Sequence, residues 1–223
     1  MRTKVYIVGN GIYAQMLLEY LLSDSNVKTT YIIEGFVVDK NYIKESVIKG
    51  FPVVSFDYLE TVSKGDVKLI LGIGYSHMGD IRKEIYYRCK NLGFEFLNYI
   101  HPTAIIHPNA RIGEGNIFLE NIVVESGCLI GDGNLFYAGT ILGHDSEIGN
   151  YNTLSVGAMT AGCVKISDNC FLGVRAAVKD HVIIDDHVLI GATAYAYKDV
   201  TSYNVVYSPR CEISATKKST ELL

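Results

Sequence analysis

From Ile106 to Ala196 a bulky residue returns at every sixth position without insertion or deletion. The series passes through Ile112, Phe118, Val124, Leu142, Leu172 and Ile190, and only Thr160 and Ala196 depart from its large apolar character. Gly often follows the bulky residue (Gly113, Gly131, Gly143, Gly149, Gly173, Gly191), and a small or polar residue often stands two before it (Ala110, Cys128, Asn134, Thr140, Ala158, Cys170, Ala176). A period of six suits neither the 3.6-residue helix nor plain two-residue alternation; it is the repeat of a parallel β-helix. Each hexapeptide is one short strand and one corner, with the bulky residue stacked inward and Gly, Asn or Asp tolerating the left-handed backbone of a sharp turn. Three sides per coil make about five coils over this stretch. A sandwich would space its turn signals eight to twelve residues apart and would not keep this phase.

The first hundred residues have the rhythm of α/β units. Lys4–Val8 reads as a strand ending in Gly9-Asn10-Gly11, Tyr13–Leu22 as a helix with Ala14, Leu17, Leu18 and Leu21 inward, and Ser23–Asn26 as a turn. Tyr31–Val38 and Val67–Ile73 are further strands. Asp80–Leu92 is a helix with Ile81, Ile85, Cys89 and Leu92 on one face, and Phe94–Ile100 is a last strand. Parallel strands with crossover helices are the simplest assembly. His101-Pro102 then ends the unit, since proline breaks the strand and the six-residue count begins.

A length of 223 residues accommodates two such units, and a net charge of −4 argues against a nucleic-acid partner, which needs a basic surface. The N-terminal apolar run stops at Gly9, too short for a signal peptide or membrane insertion. The five cysteines (Cys89, Cys128, Cys163, Cys170, Cys211) have no paired metal spacing and read as reduced residues of a cytoplasmic protein.

Gly9-x-Gly11-x-x-Ala14 fits a phosphate-binding turn, in which glycines let the backbone approach an anion at a helix N-terminus. The chain becomes β-helix before a second mononucleotide-binding half can form, so a hydride-transferring dehydrogenase is disfavoured. Ligands of such sheets bind beyond the carboxyl ends of the strands, which makes Asn10, Asp39, Tyr75 and Ser76 candidates, with Arg82 a candidate phosphate ligand. In the repeat region, His144 follows Leu142-Gly143 at a corner, where its imidazole can face outward and act as a base near neutral pH. Both Asp145 and Glu147 are near enough in sequence to orient it. One coil on, Thr160-Ala161-Gly162-Cys163 is an uncluttered edge with backbone N–H groups suited to a polarised carbonyl. His101 and His107 read as structural corner residues, and His181 and His187 as solvated corners.

The runs Leu142-Gly143-His144-Asp145-Ser146-Glu147-Ile148-Gly149, Ser155-Val156-Gly157-Ala158, Phe171-Leu172-Gly173 and Gly191-Ala192 to Lys198-Asp199-Val200 resemble the bacterial sugar acyltransferases of the hexapeptide superfamily. They are most similar to the branch of sialic acid O-acetyltransferases and nucleotide-aminosugar N-acetyltransferases, including the bacillosamine and perosamine enzymes. Gly9-x-Gly11, Phe36-Val37-Val38-Asp39 and Leu71-Gly72-Ile73-Gly74 extend the resemblance to the first unit. It implies a Rossmann-like nucleotide-sugar-binding domain at 1–100, a left-handed β-helix acyltransferase domain at 101–200, an exception to the usual right-handed crossover, and a tail at 201–223. It implies a homotrimer with active sites between subunits. Acetyl-CoA would be the co-substrate, with no metal, its thioester carbonyl near the Gly162 N–H and the rest of the molecule along Ala161, Phe171, Gly173 and Ala192. The sugar nucleotide would put its phosphates at the glycine turn and its base near Asp39. His144 would take a proton as the sugar amine attacks the thioester, and Asp145 would support the imidazole.

The chain departs from the family at three places. Thr153 stands where some relatives have a second active-site histidine, Tyr75-Ser76-His77-Met78 replaces a common polar pair, and Tyr207-Ser208-Pro209-Arg210-Cys211 replaces the usual Gly-x-Pro-Ala-Lys. The expected activity is N-acetylation of a nucleotide-linked (UDP, dTDP or GDP) 4-amino deoxysugar, with O-acetylation of a sialic acid-type sugar as the alternative. A non-catalytic sugar-binding or assembly module would be expected to lose the corner histidine. A zinc carbonic anhydrase of this fold would need a histidine pair about five residues apart, and the fifth residue after His144 is Gly149.

Overall fold

The computed structural model describes residues 2–209 and 220. The first unit has strands β1 (Thr3–Val8), β2 (Tyr31–Val38), β3 (Val47–Ile48), β4 (Phe51–Ser55) and β5 (Val67–Leu71), and helices α1 (Ile12–Ser23), α2 (Ser25–Thr30), α3 (Phe56–Leu59) and α4 (Asp80–Asn91). The strand order is β3-β4-β2-β1-β5, parallel except for the short β3–β4 pair. The chain winds outward from β1 through β2 to β4 and then crosses to β5 on the other side of β1. The crevice between the ends of β1 and β5 is therefore the point where the order reverses, the usual ligand position in open α/β sheets.

From Tyr99 onward the chain forms two-residue strands in three parallel sheets of seven, six and five strands. The first face carries Tyr99–Ile100, Ile117–Phe118, Leu135–Phe136, Thr153–Leu154, Phe171–Leu172, Leu189–Ile190 and Val205–Val206. The second runs from Ile105–Ile106 to Tyr195–Ala196, and the third from Arg111–Ile112 to Ile183–Ile184. Partners are eighteen residues apart, as in Ile141 with Met159, except in the last pair of the first face, Leu189 with Val205, where they are sixteen apart. The apolar inward residues from Phe118 onward form one buried cluster, with the partly buried Ile106 and Ile112 packed against it, and in it Phe118 and Phe136 stack at 4.6 Å between ring centroids. Burying each such side chain contributes roughly 1.5–3 kcal/mol.

From Gly115 to Thr193 every sixth residue has a positive φ, including Asp145, Tyr151, Cys163, His181 and His187. These left-handed residues stand three after the bulky residue, so the glycines directly after it answer a different demand. A Cβ on Gly131 would lie 2.7 Å from the Gly149 carbonyl oxygen, and one on Gly149 2.8 Å from that of Ser167. They keep adjacent coils in contact. A ladder of buried asparagines adds to the stack: Asn116, Asn134 and Asn152 each accept, through Oδ1, the backbone N–H eighteen residues on, at 2.7–2.8 Å.

Several sequence expectations need correction. The segment after α1 is not a plain turn: Asp24 caps α2, accepting from the N–H groups of Asn26 (2.8 Å) and Val27 (3.4 Å). The Phe94–Ile100 strand does not form as one piece. Phe96 makes a single bridge to Leu69, whereas Tyr99–Ile100 already belongs to the first coil. Helix α4 buries Arg82, Tyr86 and Cys89 and leaves Ile81 38% exposed. Its packing surface is a polar corner of the β-helix, where the Tyr86 hydroxyl donates to Glu114 Oε1 (2.8 Å) or Asp132 Oδ2 (3.1 Å). A face with polar ends suits that surface better than the aliphatic one. His187 is not a solvated corner either: it contacts Asp80 Oδ1 at 3.1 Å and stacks on Tyr203.

The first unit covers the first face. The outward-pointing Ile117 and Leu135 are buried in one cluster with Val5, Ile7, Leu17 and Leu21. By contrast, the outward column of the second face is apolar and uncovered, with Ile105, Ile141, Met159 and Tyr195 all exposed.

Candidate active site

The corner between the second and third faces carries His144. Its backbone N–H donates to Glu125 Oε2 (2.8 Å), and its Nδ1 lies 3.0 Å from Asp145 Oδ2. Asp145 reaches the ring because its own φ is +57°, which turns its side chain back over the corner. Glu147, the other sequence candidate, points out from the third face and pairs with Lys165 at 2.9 Å. The bond to Asp145, aided by the charges of Asp145 and Glu125, raises the His144 pKa above its ordinary value although the ring is exposed. With Nδ1–H held by the carboxylate, the Nε2 lone pair is free. That nitrogen lies over Gly162, where a methyl group would be only 2.4 Å away. Among the described residues nothing accepts the Gly162 N–H. A free imidazole nitrogen beside a free N–H can remove a proton while a carbonyl oxygen is stabilised.

Glu125 was missed in the sequence. Its signal is arithmetic: it stands one coil, plus one residue, before His144.

The glycine turn lies elsewhere. Gly9 has φ +108° and packs against the Gly72 carbonyl, so the loops after β1 and β5 touch. Helix α1 begins after Gly11 with no side-chain cap and no acidic residue in its first turn, which leaves its N–H groups available to an anion. Asn10 Nδ2 donates to the Tyr42 carbonyl (3.0 Å), and Ile12 beside the turn is 89% exposed. Asp39 is engaged by Arg88 Nη1 at 2.5 Å. Ser76 is exposed, followed by His77 and Met78 at positive φ.

Arg82 does not face this crevice. It is fully buried between the two units, donating to the carbonyls of Gly74 (2.9 Å), Tyr151 and Asn152 (3.0 Å) and to Thr153 Oγ1 (3.1 Å). Burial lowers its pKa to about 10, so it stays charged at neutral pH and joins the units instead of reaching a phosphate. Thr153 is thereby also committed to the interface.

The residues expected along the acetyl donor divide between two edges. Ala161 and Gly162 share the corner of His144. Gly173 and Ala192 stack on each other at the corner between the first and second faces, where a Cβ on Gly173 would lie 2.6 Å from Ala192 N. Phe171 points out from the first face against Tyr75, at 5.3 Å between centroids. Tyr13, beside the glycine turn, meets Tyr137 near the same corner at 6.2 Å. One chain therefore gathers the glycine turn, Tyr75, Phe171, Gly173 and Ala192 on one side of the second face, and His144, Asp145, Ala161 and Gly162 on the other. Concavities of about 640 Å³ on the third face and about 520 Å³ beside Arg2, Lys4 and Tyr58 touch neither group. The chemistry sits on open edges. Arg210 and Cys211 lie outside the described residues.

No protein-family model matches the chain, and neither does any curated protein. Solved structures do. PerB from Caulobacter crescentus, in complex with CoA and GDP-perosamine, is 24% identical, with 91% of this chain and 92% of that one covered and a TM-score of 0.79. The acetyltransferase domain of PglB from Neisseria gonorrhoeae, in complex with acetyl coenzyme A, is 23% identical over 92% of this chain and 96% of its own, TM-score 0.79. WeeI from Acinetobacter baumannii is 19% identical over 91% and 96%, TM-score 0.78. The chain thus has, over nine-tenths of its length, the fold of these proteins: an α/β unit followed by a parallel β-helix of hexapeptides.

Proposed function

We propose that the chain is an acyltransferase of the hexapeptide superfamily that moves an acetyl group from acetyl-CoA to the amine of a nucleotide-linked 4-amino deoxysugar. The observation that carries this reading is the His144 imidazole, held by Asp145 with its free nitrogen over Gly162. It is supported by the common fold with proteins crystallised with CoA and GDP-perosamine or with acetyl coenzyme A. The amine attacks the thioester carbonyl, His144 Nε2 takes the amine proton, the Gly162 N–H bonds the developing oxyanion, and CoA leaves as the thiol. Asp145 holds the imidazole and stabilises it once protonated.

On this reading residues 1–100 are a Rossmann-like domain holding the sugar nucleotide, with phosphates at Gly9–Gly11 and the α1 N-terminus. Residues 101–200 are a left-handed β-helix. Asp39 must exchange Arg88 for the nucleotide or bind it alongside that pair. The separation of the two residue groups favours a homotrimer, in which the His144 edge of one subunit meets the Gly173 edge of its neighbour and the apolar second face is covered between them. The free cysteines among the described residues suit a cytoplasmic enzyme. No described helix is long and apolar enough to cross a membrane.

The test is acetyl-CoA turnover, read as thiol release, against UDP-, dTDP- and GDP-linked 4-amino sugars and free sialic acid. Turnover with one nucleotide amino sugar is expected. Turnover with the free sugar alone would replace N- by O-acetylation, and none with any acceptor would refute acyl transfer to these substrate classes.

A further inference from the structure

The corner of His144 presents more than a base. Single donor atoms of His144, Asp145 and Cys163 all lie within 4.8 Å of one another. Asp145 and Cys163 occupy equivalent positions on successive coils, and His181 occupies the same position one coil further on. Their φ angles are nearly identical at 57°, 58° and 60°. Their side chains therefore leave the backbone in the same sense, with coils about 4.8 Å apart. The three backbones are fixed by bonds to the preceding coil, from Asp145 N to Ser126 O (2.9 Å), Cys163 N to His144 O (2.8 Å) and His181 N to Gly162 O (3.1 Å). His144, His181 and Asp145 are exposed and Cys163 is partly so. Imidazole, carboxylate and thiol thus converge on one accessible edge.

We propose that this corner is a binding site for a thiophilic divalent cation of the zinc type, held by the His144 imidazole, the Asp145 carboxylate and the Cys163 thiolate, with the fourth position open to water. A tetrahedral zinc ion has bonds of about 2.0–2.3 Å to such ligands, which separates the donors by roughly 3.3–3.7 Å. The cluster needs to close by about 1 Å, within reach of side-chain rotation on a fixed backbone. A set containing sulfur and imidazole selects zinc, cobalt or cadmium over magnesium or calcium. No familiar ligand spacing announces the site, because Asp145 and Cys163 stand one and nineteen residues beyond His144 and Cys163 meets the other two only through the eighteen-residue coil.

Occupancy would draw the His144 ring and Asp145 from their mutual hydrogen bond onto the metal, so the metal inhibits; this second part rests on the proposed function, while binding does not. The experiment is a Co²⁺ titration of the reduced, metal-free full chain, following thiolate-to-cobalt charge-transfer absorption. A saturable band at one ion per chain is expected. Cys163→Ser, with Cys163→Ala as a second variant and thermal unfolding as the check on folding, should abolish it. Asp145→Asn should weaken binding by at least the 10- to 100-fold that loss of even an outer-shell partner costs. No band with the native chain, or a band that persists in folded Cys163→Ser, overturns the site, and unaltered affinity in Asp145→Asn removes the carboxylate from it. Zn²⁺ should inhibit acetyl transfer by the native chain, reversibly with chelator, and spare Cys163→Ser, each read against its own metal-free turnover. A band without any acetyl transfer would leave the cation site standing and overturn the enzymatic reading; turnover without a band would do the reverse. A band with zinc-insensitive turnover would remove His144 from the ligand set.

Discussion

Gly162→Ala separates the geometry of the proposed base from the stability of the fold. The new methyl would stand 2.4 Å from His144 Nε2 and 2.6 Å from Cε1, whereas ordinary van der Waals contact begins at 3.4 Å. The ring must therefore retreat by about 1 Å. It is free to do so, since the side chain is 59% exposed and anchored only by Asp145 and its own backbone. Gly162 is not among the residues at positive φ, so alanine meets no backbone strain. Stability should change by less than about 0.5 kcal/mol, the usual range for an exposed substitution. A misplacement of about 1 Å at a reacting group costs on the order of 10² in rate. We therefore expect kcat/KM for acetyl transfer to fall about 10²-fold at unchanged Tm, against a fall of roughly 10²–10⁴ for His144→Ala. The assay is thiol release at subsaturating amino sugar beside a thermal melt. Full activity in Gly162→Ala would refute the placement of the working nitrogen over Gly162, and a loss explained by unfolding would refute the claim that the ring yields.

Other substitutions probe the remaining parts. Asp145→Asn removes the main cause of the raised His144 pKa, so the rise of kcat/KM with pH, which follows deprotonation of the imidazole, should move to lower pH as its plateau drops; an unmoved limb in the pH profile would detach Asp145 from the base. Arg82→Met leaves the carbonyls of Gly74, Tyr151 and Asn152 without their charged donor and should cost about 3–5 kcal/mol in urea unfolding, with KM for the sugar nucleotide unchanged in the folded enzyme. A raised KM at native stability would return Arg82 to the phosphate. Met159→Glu charges the apolar second face and should yield folded monomers lacking turnover, read by sedimentation; an active monomer would refute a site shared between subunits.

The repeat region was legible because a period of six is a constraint on every coil at once. Inward residues, strand phase and the outward placement of His144 follow from counting. The two classes of glycine were not separated by counting, because one answers backbone conformation and the other the approach of the next coil. In the first unit, β1, α1 and β2 were legible from apolar runs and Gly9-x-Gly11, whereas α2 depended on the Asp24 cap and β3 and β4 lay in a segment without clear periodicity.

What the sequence by itself determined is therefore local and periodic: an eighteen-residue coil, a glycine turn at a helix start, and a histidine at a corner. Tertiary structure decided which charges are used and where they point. Arg82 reads as a surface cation until α4 is laid against Tyr151 and Asn152, whose carbonyls absorb it. Glu125 has no relation to His144 until one coil is stacked on the next. Likewise, Gly173 meets Gly191 and Ala192 and not His144: Gly191 stands eighteen residues beyond Gly173, whereas Gly173 stands thirty beyond Gly143, and repeat positions share a corner only when a multiple of eighteen separates them. Contacts of this kind depend on how separate stretches of backbone meet in space, and that information lies in no single stretch of the chain.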